Sequence, residues 1–510
     1  MMRQISKHWL WLIAAASVTL TSCVKEDIAV VPEQPESELV QPENGMNKVD
    51  AAEGDPAVLQ ALQAIPNVTD VKCIRNVFAR DQKAYYFNYQ QDIDHQNPSL
   101  GKFKQQVVMT FVDKDSATVL HTAGYALRDG NRLDSLFAPS IVYELNANCV
   151  HVEHRYHGWS LPEGYTNKFN YLSTQQQSDD LHAIVTALKG SNILNGKWLS
   201  TGVSKDGMTT AFYAYHYPGD VDGYIPFCAP FLTSLTDQRP GVYLINTPGY
   251  ESILAKVKTA MRAYFQNEQL QAECVELYRK ANPDTEDNDK DINIALKYRF
   301  LGNMYPKMSY ISFDKWENWI PEPTSDAQTY YRFIMADENT KYPDENDKEV
   351  AARRAMINSS WLRNANINGS LLRRAAEAKP QERFDAYYVQ TCIDLGTYQL
   401  DFSWVEDLIT DEERQNFYSY TQPSEYGVVY DNGQFMRTFL DGMRSNDCKV
   451  LFVYGSQDPW TGGGISDTNL GPNMQKMIVE KGTHNDYFGD WTEDEQIKLW
   501  SFILPIVRQK

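Results

Sequence analysis

Positive charge is scarce in this chain. Its 510 residues carry 48 Lys and Arg against 67 Asp and Glu, a formal net charge of -19. A nucleic-acid binder needs a basic face to neutralise phosphates, and this balance excludes such a partner. Histidines number only nine, and none of the seven cysteines stands in a Cys-x-x-Cys or other zinc-ligand spacing. Internal repeats are absent, and the longest apolar run is too short to span a bilayer comfortably. What is present is core: 42% of the residues are hydrophobic and 12% aromatic, enough for one large domain with an insertion.

The first residues have the pattern of an export signal. Arg3 and Lys7 precede the apolar run Trp9 to Leu20, which ends in Leu20-Thr21-Ser22-Cys23. That ending resembles the lipobox of bacterial lipoproteins, so residues 1–22 are expected to be removed and Cys23 lipidated. Val24 next to it points to the outer membrane, facing the periplasm or the cell surface. Residues 23–60, rich in Pro, Glu and Gln, form the expected tether. The membrane is thus a partner through Cys23 alone. Export permits disulfides, but Cys73, Cys149, Cys228, Cys274, Cys392 and Cys448 allow many pairings. Cys149 and Cys228 lie in apolar, strand-like surroundings and read as buried free thiols.

Chemistry concentrates at Ser204. It stands in Thr201-Gly202-Val203-Ser204-Lys205-Asp206-Gly207, after an apolar run and before the helix-like stretch Met208 to Tyr217. A serine on a glycine-flanked strand-to-helix turn has its hydroxyl lifted above a sheet edge, and the helix amino terminus favours developing negative charge. Asp458 follows the apolar strand Val450 to Tyr454, and His484 follows Met477 to Val479. Nucleophile, acid and base in that order are the α/β-hydrolase order. His484 would take the serine proton and Asp458 would fix the imidazole tautomer. Lys205 N–H is one expected oxyanion donor, and the Tyr156 and His157 amides are the candidates for the other.

The chain divides accordingly. Short β-rich runs at Ala84–Tyr89, Gln106–Phe111 and Asn148–Val152 lead to an expected helix at Asp180–Leu188 and the strand Val221–Phe227. Helical spacing dominates Ile253–Tyr264, Gln269–Tyr278, Lys348–Asn358 and Ser370–Ala378. The reading is an α/β-hydrolase domain from 61–239 and 441–510, with a mostly helical cap, 240–440, inserted between nucleophile and acid. Such a cap restricts which substrates reach the serine.

Several strings then converge on one group. Asp94-His95-Gln96-Asn97-Pro98 with Phe103-Lys104-Gln105-Gln106, Glu153-His154-Arg155-Tyr156-His157-Gly158 and Tyr171 to Asp180 all contribute. So do Tyr388 to Gly396 and Asp458-Pro459-Trp460-Thr461-Gly462-Gly463. Together they resemble the serine peptidases that include lysosomal Pro-X carboxypeptidase and dipeptidyl peptidase II. The lysine after the serine is more similar to their secreted bacterial relatives, the prolyl tri- and tetrapeptidyl aminopeptidases. The resemblance spans about 92 to 490. It implies release of short amino-terminal peptides with cleavage after proline, by Ser204, Asp458 and His484, without metal or cofactor.

An aminopeptidase must bind a free α-ammonium, for which Asp394 is the first candidate counter-ion and Glu153 the second. Trp460, with Trp316, Trp319 and Tyr398, are candidates to line a proline subsite. One departure stands out: Asp206 occupies a position where the family has glycine, and a charged side chain there is expected to crowd the turn or disturb the site. Two other readings stay open. An esterase would keep the triad, and a catalytically silent binding lipoprotein would keep only the fold.

Overall fold

The computed structural model describes residues 53–74, 83–127, 140–162, 169–283, 285–302, 304, 317–336, 386–418, 423, 427–484 and 491–508. Cys23, Trp316 and the helices expected at Lys348–Asn358 and Ser370–Ala378 lie outside them.

A nine-stranded sheet organises the chain. Its strands in chain order are β1 (Val68–Ile74), β2 (Lys83–Asp92), β3 (Lys102–Phe111), β4 (Thr118–Thr122), β5 (Asn148–Val152), β6 (Trp198–Val203) and β7 (Gly223–Phe227). Further on come β10 (Val450–Gly455) and β11 (Met474–Val479), while β8 (Thr236–Asp237) and β9 (Thr397–Tyr398) form a separate two-stranded ladder. The order across the large sheet is β1-β2-β3-β5-β4-β6-β7-β10-β11. The first three strands run antiparallel, β3 meets β5 antiparallel, and β5, β4, β6, β7, β10 and β11 are parallel. Strands β5, β7 and β10 are buried along their whole length. Parallel strands covered on both faces need such continuous apolar runs, which Val450-Leu451-Phe452-Val453-Tyr454 supplies.

One face of the sheet packs under the helices Thr174–Gly190, Lys205–His216 and Gln434–Met443, around Leu181, Phe212, Tyr224, Phe439 and Phe452. The other packs under Glu493–Val507, through Leu199, Val453, Leu499 and Ile503. That last helix begins at a capping box in which Thr492 and Glu495 satisfy each other's backbone amides. With helices on both faces of a mostly parallel sheet, the architecture is the α/β-hydrolase fold.

The helices Glu251–Gln266, Glu268–Ala281, Asp289–Gly302 and Ala327–Met335 have a hydrophobic core of their own. At its centre Tyr264, Phe300, Tyr330 and Phe333 meet with ring centroids 5.6 to 6.4 Å apart. Asn267 and Asp326 start two of these helices by accepting the Leu270 and Thr329 amides. The β8–β9 ladder ties the chain entering this helical segment to the chain leaving it.

Candidate active site

Ser204 sits between β6 and the helix Lys205–His216 at φ 60° and ψ -124°, a region that side chains rarely occupy. Two backbone hydrogen bonds hold it there. Its N–H donates to Phe227 O at 2.9 Å, and its C=O accepts from Met208 N at 2.8 Å. A Cβ on Gly202 would lie 2.5 Å from the Asp206 carbonyl carbon and oxygen, so the turn closes only over glycine at that position. A half-exposed serine in a strained turn that starts a helix has the geometry a nucleophile would need.

Because β6, β7, β10 and β11 are parallel neighbours, the residues following them share one edge of the sheet. Ser204 follows β6, Cys228 follows β7, Asp458 comes three residues after β10 and His484 five after β11. His484 Nδ1 lies 2.7 Å from Asp458 Oδ2, and Asp458 Oδ1 accepts the Trp460 N–H at 3.1 Å. Both side chains are buried, which strengthens the pair by removing water from it. Cys228 Sγ completes a group whose ligand atoms all lie within 4.8 Å of one another, the one grouping among the described residues with metal-ligand composition. The histidine and carboxylate in it are already bonded to each other, as a general base and its orienting acid would be.

The Tyr156 and His157 amides, the candidates for a second oxyanion donor, are already engaged. Tyr156 N–H donates to Ser160 O at 2.8 Å and His157 N–H to His154 O at 3.1 Å, so both amides are spent inside their own turn. The loop bearing them follows β5, whereas β4, not β5, lies next to the nucleophile strand β6. β4 is only five residues long, too short for a clear strand periodicity. The loop after it, residues 123–127, reaches the Ser204 turn: Gly124 N–H donates to Asp206 Oδ1 at 2.7 Å. Thr118-Val119-Leu120-His121-Thr122, β-branched and closed by Gly124, was the available signal.

Glu153 turns out to be equally occupied. Its carboxylate accepts Leu127, Trp159 and Ser160 amides and the Ser160 hydroxyl at 2.7 to 3.0 Å, and it is fully buried. It builds the loop instead of facing a ligand. Arg155 makes a bidentate pair with Asp180 at 2.7 and 2.8 Å, and His95 Nε2 meets the same carboxylate at 2.7 Å. Three of the strings carrying the family resemblance thus form one buried scaffold. Burial also holds the His154 and His157 side chains neutral, well below the usual histidine range.

Asp394 sits at the end of the segment Thr391–Leu395, with Oδ2 accepting the Thr174 amide at 3.2 Å and Oδ1 unpartnered. Burial pushes its carboxyl up to about 7. Burial likewise depresses the Lys205 ammonium to about 7, against the pull of Asp206 and Asp394. Trp460 lies 6.3 Å from the His484 ring, and Tyr398 meets Trp460 edge-on at 5.0 Å. Trp319 packs on the separate helical core, with Arg332 over its ring. All six cysteines among the described residues are buried. No described helix is long and apolar enough to cross a membrane.

Comparison with known proteins points to a serine peptidase. Residues 58–247 match the family model described as PS-10 peptidase S37. The chain is 22% identical over 447 residues to the prolyl tri/tetrapeptidyl aminopeptidase of Streptomyces mobaraensis, covering 83% of this chain and 81% of that one. It is 24% identical over 397 residues to prolyl carboxy peptidase like protein 5 of Caenorhabditis elegans, covering 70% and 75%. A solved proline iminopeptidase from Mycobacterium smegmatis is 11% identical at a TM-score of 0.33, covering 82% and 97%. The match over residues 58–247 and these relatives make the chain similar to serine peptidases of the S37 family.

Proposed function

We propose that this peptidase releases tri- and tetrapeptides from the amino termini of oligopeptides, preferring proline at the cleaved bond. Ser204 attacks the scissile carbonyl, His484 Nε2 takes its proton, and Asp458 stabilises the imidazolium through the 2.7 Å contact to Nδ1. The amine departs with that proton, and water then resolves the acyl-enzyme through the same histidine. The observation that carries this reading is the buried Asp458–His484 pair on the sheet edge that also presents Ser204 in its strained turn.

The amino-terminal preference is supported by Asp394. A buried carboxylate with one oxygen unpartnered is suited to an incoming α-ammonium. Trp460 and Tyr398, beside His484, would form an apolar wall for a proline ring. The helical segment within 240–440 would act as the cap that limits peptide length, and Cys23 would hold the enzyme at the outer membrane through residues 23–60.

Hydrolysis of anilides tests the reading: Ala-Pro, Ala-Ala-Pro and Ala-Ala-Ala, each with free and blocked amino termini, beside a short-chain ester. Turnover of free Ala-Ala-Pro, lost on blocking and lost in Ser204→Ala, is the expected result. Turnover of the ester alone would replace it with an esterase.

A further inference from the structure

Gly124 is gripped at both ends of its backbone by the two residues that follow Ser204. Its N–H donates to Asp206 Oδ1 at 2.7 Å, and its C=O accepts from Lys205 Nζ. The approach is so close that a Cβ on Gly124 would lie 2.8 Å from the Lys205 carbonyl carbon and 2.9 Å from the Asp206 nitrogen. Both gripping side chains are buried. The Asp206 carbonyl in turn accepts the Thr122 and Thr210 hydroxyls at 2.9 and 3.0 Å, which ties the same turn to β4. Behind the carboxylate, Asp206 Oδ2 faces His121 Nε2 at 3.4 Å, and His121 Nδ1 lies 3.2 Å from His151 Nδ1.

A trans peptide points its C=O and its N–H in opposite directions. Holding Gly124 C=O against Lys205 therefore turns the N–H of the same peptide unit, that of Tyr125, away from the lysine. The loop follows the strand next to β6, so this peptide lies beside the Ser204 turn. Lys205 contributes twice: its own amide is the first oxyanion donor, and its side chain helps to hold the loop.

We propose that the Lys205 and Asp206 side chains are positioning residues, which clamp Gly124 and so aim the Gly124–Tyr125 peptide as the second oxyanion donor. The proposal rests on Ser204 being the nucleophile. Asp206, which the sequence marked as a departure that would crowd the site, becomes part of its assembly. The side chain has room because it leaves the turn toward β4 and the 123–127 loop.

The test uses the full chain and three variants, Asp206→Ala, Asp206→Asn and Lys205→Met. Two quantities are read: the rate of fluorophosphonate labelling, which needs only an activated serine and its oxyanion site, and kcat and KM on free Ala-Ala-Pro anilide. Asp206→Ala is expected to lower labelling and kcat by roughly 10- to 100-fold with KM within about twofold, because the donor matters only as the oxyanion forms. Asp206→Asn keeps an acceptor for Gly124 N–H and should stay within about threefold of wild type. Lys205→Met should slow labelling by about tenfold, with the labelled fraction scored on folded protein only, because the Gly124 carbonyl loses its donor.

Wild-type rates in Asp206→Ala and Lys205→Met would overturn the clamp while leaving the nucleophile intact. So would an Asp206→Asn variant as slow as Asp206→Ala. A wild-type protein that fluorophosphonate does not label overturns both. Where no anilide is turned over, the labelling rates alone decide.

Discussion

His484 Nδ1 and Asp458 Oδ2 meet at 2.7 Å with both side chains shielded from water. The carboxylate fixes the proton on Nδ1 and leaves Nε2 as the basic nitrogen. Asp458→Asn keeps the shape but offers the wrong tautomer a partner. The variant is expected to fold normally and to lose roughly 1,000- to 10,000-fold in kcat on the proline anilide. A loss below about tenfold would show that Asp458 does not orient the base.

The glycines of the nucleophile turn separate packing from chemistry. Gly202→Ala places a Cβ 2.5 Å from the Asp206 backbone, and neither side can move without opening the turn. It should cost about 1–3 kcal/mol and abolish labelling of Ser204. Gly190, at the end of the helix Thr174–Gly190, has nothing within 4 Å of its Cβ position. Gly190→Ala should therefore leave activity unchanged and hold or slightly raise the melting temperature.

With Asp394 as the proposed counter-ion of the substrate ammonium, binding should depend on pH. Its carboxyl, raised by burial to about 7, must ionise to pair with an α-ammonium. KM for free Ala-Ala-Pro anilide should rise as pH falls below about 7, and that dependence should vanish in Asp394→Asn, whose KM is high throughout. A KM profile shared by wild type and variant would remove Asp394 from the subsite.

The same group leaves a mark on stability. Between the ordinary carboxyl value of 3.8 and about 7, the folded state holds a proton that the unfolded chain has released. The stability this contributes is fully present below 3.8 and is lost as pH rises through 7. Denaturation midpoints of wild type and Asp394→Asn should converge near pH 4, and the variant should lead above pH 7. The gap is at most on the order of 4 kcal/mol, and Lys205 nearby reduces it.

Much of this geometry could be read from the chain because buried parallel strands write themselves as apolar runs. Val450 to Tyr454 and the stretch ending at Val203 put Asp458 and Ser204 after strand ends, and the sheet brings those ends to one edge. β4 failed to register because five residues ending in His121-Thr122 carry little periodicity. Without it, the 123–127 loop beside the Ser204 turn has no place in the sequence reading. The strings around Glu153 and Arg155 were legible as motifs but not as scaffold, since sequence does not reveal that Glu153 has four donors around its carboxylate or that Arg155 closes on Asp180. Asp206 could only be read as an intrusion until its partner Gly124, which lies far away in the chain, came into view.

Trp460 and Tyr398 give the sharpest test of the proposed proline preference. Their rings meet edge-on at 5.0 Å, one from the loop that carries Asp458 and the other from the ladder that closes the helical segment. Such a wall accepts a flat, rigid ring and gains less from a flexible side chain. Trp460→Ala should lower kcat/KM for Ala-Ala-Pro anilide by about 10- to 100-fold but that for Ala-Ala-Ala by only a fewfold. Tyr398→Ala should act in the same direction more weakly, because Trp460 stays beside His484 without it. Equal losses on both substrates in Trp460→Ala would assign the ring to packing against the Asp458–His484 pair, and the proline subsite would have to be sought on another face of the cleft.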